Sequence, residues 1–287
     1  MNFFFSFCFL FCFTISLGTE SRAATYPEGE VDDDIVKAIY QGGEALKYKI
    51  SWTGGLKIGE LQIEVLKVAD KENVFELRAR VKDSGLFHLF YPVNDSFSTI
   101  VEGEKRLPVS YEVIQKEGKD YTARRHTEYD QQAGKIRYHK NEKTPVNYSV
   151  DGVVHNEFSS FFFTRIMKLE AAHPATVPTF ADGKRHEVVV RTGAETRIKK
   201  TILGDVNVIP VAPIMKFKGL YDKDGDTVIW FTNDECRIPV RMNSKILIGS
   251  LTAELVSYSN PHCKDQSRYH MKKADSSVNQ QHLELGD

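Results

Sequence analysis

The chain has 287 residues, in which 38 lysines and arginines nearly cancel 39 aspartates and glutamates. That balance leaves no net field to steer it to nucleic acid or to an anionic membrane. Four cysteines and 19 glycines, with 11% aromatic residues, fit a chain with a sizeable core and few covalent staples.

The first element is an apolar run from Met1 to Leu17. It matches a signal-peptide core and falls short of the roughly 20 residues of a membrane span. Gly18 breaks it, and Ser21-Arg22-Ala23 supplies the small residues read by a signal peptidase, with cleavage expected before Ala24. No lysine or arginine precedes Phe3, so an uncleaved anchor stays open as the alternative. Neither Cys8 nor Cys12 follows the small residues that a lipidated cysteine needs. The expectation is a signal peptide over 1–23, a lead-in over 24–41, one antiparallel β domain over 42–263 and a disordered tail over 264–287. The protein would then be exported, with no membrane span after processing.

Val31 to Tyr40 predicts a short helix with acids in its first turn, ended by Gly42-Gly43. Leu46, Tyr48, Ile50 and Trp52 then alternate with polar residues, Thr53-Gly54-Gly55 turns the chain, and Leu56 to Val68 returns it with a bulge at Gly59. Val74 to Val81 continues the pattern. Ser84 to Val93 interrupts it with a crowded apolar run, read as a short helix or a loop covering the end of the sheet. Strands resume over Ser96 to Glu102, Leu107 to Lys116, Tyr121 to Tyr129, Ile136 to Lys140 and Pro145 to Val150. Spacing of about ten residues marks an all-β meander, a curved sheet or partly open barrel.

One helix breaks the rhythm near 156–170. Phe158, Phe161, Phe162, Ile166 and Leu169 recur at helical spacing, with Glu157, Arg165, Lys168 and Glu170 mostly opposite. Its aromatic side predicts burial against the concave face of the sheet, with Asn156 or Asp151 starting it and Pro174 and Pro178 ending it. Strands follow at Thr179 to Phe180, Glu187 to Thr192, Glu195 to Leu203, Asn207 to Val211, Met215 to Lys218 and Val228 to Thr232. The Asn233-Asp234-Glu235 turn then leads into Ile238 to Met242 and Ile246 to Tyr258.

The residues Gly43-Glu44-x-Leu46-x-Tyr48, Ser84-Gly85-x-Phe87 with Phe90-Tyr91-Pro92-Val93-Asn94-Asp95, and Trp230-x-Thr232-x-Asp234-x-x-Arg237-x-Pro239-Val240 with Ile248-Gly249-Ser250 resemble the exported bacterial family called domain of unknown function 3108. The resemblance spans Gly42 to Tyr258. It implies a Gram-negative source, export to the periplasm and an antiparallel β architecture, and it brings no catalytic residues. The plan of a meander with an aromatic helix is also similar to periplasmic lipoprotein carriers, an analogy of fold alone.

Chemistry is sparse. Asp222-Lys-Asp-Gly-Asp226 mimics a calcium loop, but Thr227 stands where glycine is needed and Asn233 where the bidentate glutamate belongs; a hairpin turn explains it. Nine histidines include no pair at i, i+4 and no neighbouring Cys-x-x-Cys, so no metal and no cofactor is expected. Arg124-Arg125-His126 and Lys184-Arg185-His186 could bind a phosphate, though basic residues on a strand's wet face are commoner. His155 with Asp151, Ser159 and Ser160 lacks the Gly-x-Ser-x-Gly setting of a hydrolase. A helix cap is the simpler reading. Asp234 and Arg237 are expected to fix their turn by a charge-assisted bond. Cys236 and Cys263 can pair in an oxidising compartment or remain thiols.

The aromatics either fill a core or leave an apolar cavity. Candidate binding residues are Phe87, Phe90, Tyr91, Phe158, Phe161, Phe162, Trp230 and Arg237. The reading is a non-catalytic periplasmic protein holding a lipid or other apolar envelope molecule between sheet and helix. An envelope protein partner engaging the apolar loop is the alternative, and a hydrolase of envelope polymers is third.

Overall fold

The computed structural model describes residues 30–181, 183–214, 227–246 and 249–263. The leader over 1–23, the tail over 264–287, the strand at Met215 to Lys218 and the Asp222 to Asp226 turn lie outside the described residues.

Alternation of apolar and polar residues becomes a single fifteen-stranded antiparallel sheet. Its first half is β1 (Glu44–Trp52), β2 (Leu56–Lys67), β3 (Val74–Asp83), β4 (Asn94–Glu102), β5 (Leu107–Glu117), β6 (Tyr121–Asp130), β7 (Lys135–Lys140) and β8 (Val146–Ser149). Its second half is β9 (Ala175–Ala181), β10 (Lys184–Thr192), β11 (Thr196–Thr201), β12 (Gly204–Ile214), β13 (Thr227–Thr232), β14 (Pro239–Lys245) and β15 (Ser250–Ser259). Among the described residues three α-helices, α1 (Asp33–Ile39), α2 (Phe87–Phe90) and α3 (Glu157–Ile166), and a 3-10 turn at Thr53–Gly55 accompany it. The bulge expected at Gly59 is present, the register slipping between Ile50, opposite Gly59, and Ser51, opposite Lys57. A Cβ on Gly59 would stand 2.7 Å from the Lys82 carbonyl oxygen, so this close approach requires glycine.

Strands lie beside their sequence neighbours, with β11 sharing β12 with β10, except where β1 meets β15. There Leu46 stands opposite Tyr258 and Ile50 opposite Ala253. A twisted sheet of this many strands curls rather than staying flat. Its two edges therefore face each other: the Tyr148 ring of β8 lies 5.3 Å from that of Phe180 on β9. Arg185 of β10 donates to the carbonyls of Asp151 and Val153, just beyond β8. No ladder joins β8 to β9, so the wrap is barrel-like without being closed.

Inside the wrap lies α3. Phe158 meets Phe97 of β4 at 6.4 Å, Phe161 meets Phe231 of β13 at 6.2 Å, and Phe162 meets Tyr40 at 6.4 Å. The Asn156 side chain accepts from the Phe158 and Ser159 amides, and the Ser159 hydroxyl accepts from the Asn156 amide, a reciprocal cap. Three details depart from the sequence reading. The helix stops at Ile166, because Met167 is already extended and bridges to Val31. Pro178 ends no helix; it sits inside β9 opposite Glu187. Arg165, placed on the wet side by its spacing, is fully buried.

Arg165 marks the packed end of the wrap. Its Nη1 and Nη2 donate to the two Glu44 carboxylate oxygens at 2.6 and 2.7 Å, while Nε donates to the Arg237 carbonyl and Nη2 also to that of Cys236. Burial alone would lower the Arg165 pKa, but the Glu44 carboxylate outweighs it and holds it above its ordinary value. Cys236 and Cys263 are joined in a disulfide here.

Candidate functional site

The inward face of the sheet changes character along its length. Near the packed end Leu46 and Tyr48 on β1, Ile63 and Val65 on β2, Phe75 and Leu77 on β3, Val101 on β4, Val240 on β14 and Leu255 on β15 are all buried. Two or four residues further on, the same phase of those strands carries Ile50, Leu61, Val81, Phe97, Met242 and Ala253, all half-buried. Register makes these neighbours: Ile50, Ala253 and Met242 face one another across β1, β15 and β14, and Leu61 faces Val81 across β2 and β3. Phe158 and Phe161 of α3, also half-buried, form the inner side. Between sheet and helix they leave a half-covered apolar face, which we call the basin.

A concavity lies at the seam between the two edges. Tyr111, Thr127 and Tyr138 stand opposite one another on β5, β6 and β7, with Val113 opposite Arg125 beside them. Together with Tyr129, Tyr148, Phe180 and Glu157 they line a half-open cavity of about 250 Å³. Gly183 belongs to it at φ 77°, where an added Cβ would meet the Tyr148 hydroxyl at 2.9 Å. Burial, then the Glu157 carboxylate, pushes the Tyr111 and Tyr129 phenols well above their usual range. They therefore remain protonated donors at neutral pH. Arg125 donates from Nη2 to Gln115 at 2.9 Å, while its Nε is buried without a partner. Rings, hydroxyls and one guanidinium suit a small molecule with a flat body and polar edges. Phe97 and Phe158 pack against both the main core and the smaller core at the seam, so they border the basin on one side and the tyrosines on the other.

The eight candidates from the sequence fall into separate places. Phe158, Phe161 and Phe162 gather on α3, but Phe162 is fully buried as core. Phe87, Phe90 and Tyr91 are on and beside α2 at the far end of the wrap, Phe87 packed 6.3 Å from Tyr91 and the other two exposed. Trp230 is half-buried on β13, out of phase with the buried Ile229 and Phe231. Arg237 is at the packed end, donating from Nη1 to the Met167 carbonyl, with burial lowering its pKa. Its turn is fixed differently from expectation: the Asp234 carboxylate accepts from the amides of Cys236 and Arg237 and from the Thr232 hydroxyl. The seam tyrosines were missed, although Tyr111, Tyr129, Tyr138 and Tyr148 all fall on the inward phase of successive strands.

His155 and Ser159 do come together, Nδ1 to Oγ at 3.3 Å. The imidazole is buried, stacks 4.5 Å from Phe163, and is pushed down to about 3 by burial and the nearby Lys105 charge. Asn156 caps the helix, one of the two starts that the sequence offers, and Ser159 spends its hydroxyl on that cap. Among the described residues no group of three or more His, Cys, Asp or Glu side chains could hold a metal, and no helix is long and apolar enough to cross a membrane.

The family described as Protein of unknown function (DUF3108) matches over residues 47–256. No curated protein matches the chain. Among solved structures, a crystal structure of a β-barrel-like protein of domain of unknown function DUF1849 from Brucella abortus is similar, with a TM-score of 0.52 and 11% identity. The likeness covers 77% of this chain and 99% of that one, and at that identity it speaks to fold alone.

Proposed function

The chain belongs to the DUF3108 family, and on that premise we propose that it is an exported, non-catalytic binding protein that holds an amphipathic envelope molecule. The apolar part of that molecule occupies the basin between α3 and strands β1 to β4, β14 and β15. The observation that carries the reading is the loss of burial along one phase of six strands, from Tyr48 to Ile50, Ile63 to Leu61, Ala79 to Val81, Val101 to Phe97, Val240 to Met242 and Leu255 to Ala253. Apolar side chains kept in phase yet left half-covered are what a ligand would finish burying, at roughly 25 cal/mol for each Å². The seam tyrosines beside Phe97 and Phe158 offer hydrogen bonds to a polar portion. Export rests on the apolar leader and fits the Cys236–Cys263 bond.

The test is native mass spectrometry, followed by solvent extraction, on protein purified gently from the periplasm. The expected outcome is one lipid-like molecule per chain, absent from a Phe161→Asp variant that keeps its fold. Clean, folded apo protein that refuses a panel of lipids would sink the reading.

A further inference from the structure

The large apolar side chains left exposed among the described residues are not spread over the surface. Apart from Val146, Ile202 and Val256, they stand on three hairpin tips at the end of the wrap opposite the Glu44–Arg165 pair. The β1–β2 tip carries Trp52 and Leu56; the β3–β4 tip carries Leu86, Leu89, Phe90 and Tyr91; the β5–β6 tip carries Tyr121. The tips are fastened together. The Ser84 amide donates to the Ile58 carbonyl at 2.9 Å, that of Gly118 to the Pro92 carbonyl at 2.8 Å, and the Tyr91 hydroxyl to Glu117 at 3.1 Å.

Exposure is graded by chemistry across this rim. Leu86, Leu89 and Phe90 are 77, 70 and 79% exposed, while Tyr91, Tyr121 and Trp52, which carry polar atoms, are 44, 48 and 37% exposed. Lys57, Lys82 and Lys116 are exposed on the strands behind them, and Lys119 in the β5–β6 turn. Of the described carboxylates at this end, Asp120 is exposed; the rest are buried, half-buried or engaged, Asp95 with the Lys116 amide, Asp83 with His88, Glu117 with Tyr91 and Gln115, and Glu60 with Lys47 and Lys57. Among the described residues the side chains that reach solvent here are therefore mostly lysines, although Lys57 is paired with Glu60.

We propose that this rim docks the protein on an anionic lipid bilayer, with Leu86, Leu89 and Phe90 entering the acyl region. Tyr91, Tyr121 and Trp52 then sit among headgroups, and the lysines face lipid phosphates. Purely apolar tips, amphipathic rings behind them and cations behind those follow the order of polarity through a membrane interface. A protein partner would not require that order. The proposal goes beyond the binding reading and stands without it, although the half-covered basin lies toward the same end.

The experiment is co-sedimentation of the protein, as isolated from cells, with vesicles of phosphatidylcholine alone and of phosphatidylcholine with phosphatidylglycerol. Partition onto the anionic vesicles is expected, falling at least tenfold in Leu89→Asp/Phe90→Asp and by about fivefold per lysine in Lys116→Glu/Lys119→Glu. Both variants change exposed side chains and should melt as the parent does. The proposal is overturned by failure to sediment with either vesicle, by partition that ignores both variants, or by a self-association that Leu89→Asp/Phe90→Asp abolishes, which would make a second copy the occupant. Bound cargo separates this from the earlier reading: rim variants keep it on extraction, whereas Phe161→Asp loses it and still sediments.

Discussion

The packed end and the rim end of the wrap use the same strands with the same alternation, and they differ in what is laid against the inward face. At the packed end α1, the later turns of α3 and the turn at 233–238 cover it, leaving Tyr48, Leu77 and Val65 fully buried. At the other end the phase continues through Ile50, Leu61 and Val81, half-covered, and the tips turn their apolar side chains outward. Alternation thus specifies a face, and burial depends on a second layer. On the proposed function, stability and binding fall to opposite ends of one sheet.

The sharpest way to break that contrast is Arg165→Met. It leaves Glu44 as a buried carboxylate with only the weaker contacts of Tyr258 and Asn260 at 3.3 and 3.4 Å, and should destabilise the protein by about 3–5 kcal/mol. Urea denaturation reads this as a lowered midpoint, and Glu44→Leu added to Arg165→Met should recover part of the loss. Equal destabilisation in the double variant would mean that packing, not charge, holds this end. Next in size is Cys236→Ser/Cys263→Ser, which releases a link across 27 residues and should cost about 3 kcal/mol, seen as the same fall in midpoint that a reductant causes in the parent.

The smallest effect belongs to the rim end. Burial, reinforced by Glu117, pushes the Asp95 carboxyl up to about 6, although the Lys116 amide donates to it. The folded state therefore holds this proton more tightly than the unfolded chain, whose aspartate titrates near 4. Between those values stability falls as pH rises. Asp95→Asn keeps the contact with the Lys116 amide, so its melting temperature should exceed that of the parent at pH 7.5 and match it near pH 4; a variant less stable at both would show that the charge is needed.

Much of the fold is legible in the sequence, since alternation marks strands such as Leu46 to Trp52 and helical spacing marks Phe158 to Ile166. Asn156 announces its cap. Partnership between distant strands is another matter: nothing local in Leu46 or Tyr258 says that they stand opposite each other. Arg165 was misplaced for the same reason, because helical spacing treats a guanidinium as wet until its partner is known. Glu44 was the available clue, a carboxylate in phase with Leu46 and Tyr48. For the site, α3 was legible and the seam was not, because its tyrosines become a cavity only when the edge strands β8 and β9 are brought face to face.

The pairing of β1 with β15 also imposes an order in time. Hairpins from β1 to β8 can form one after another as the chain emerges, each from residues close in sequence. The outer edge of β1 has to wait for the last strand to be made. Until then its amides and carbonyls form an open template for any other strand, and closing it is a slow, long-range step. Rapid dilution from denaturant should therefore yield pairs of chains exchanging β15, and holding β1 apart until β15 has arrived is the natural task for a chaperone.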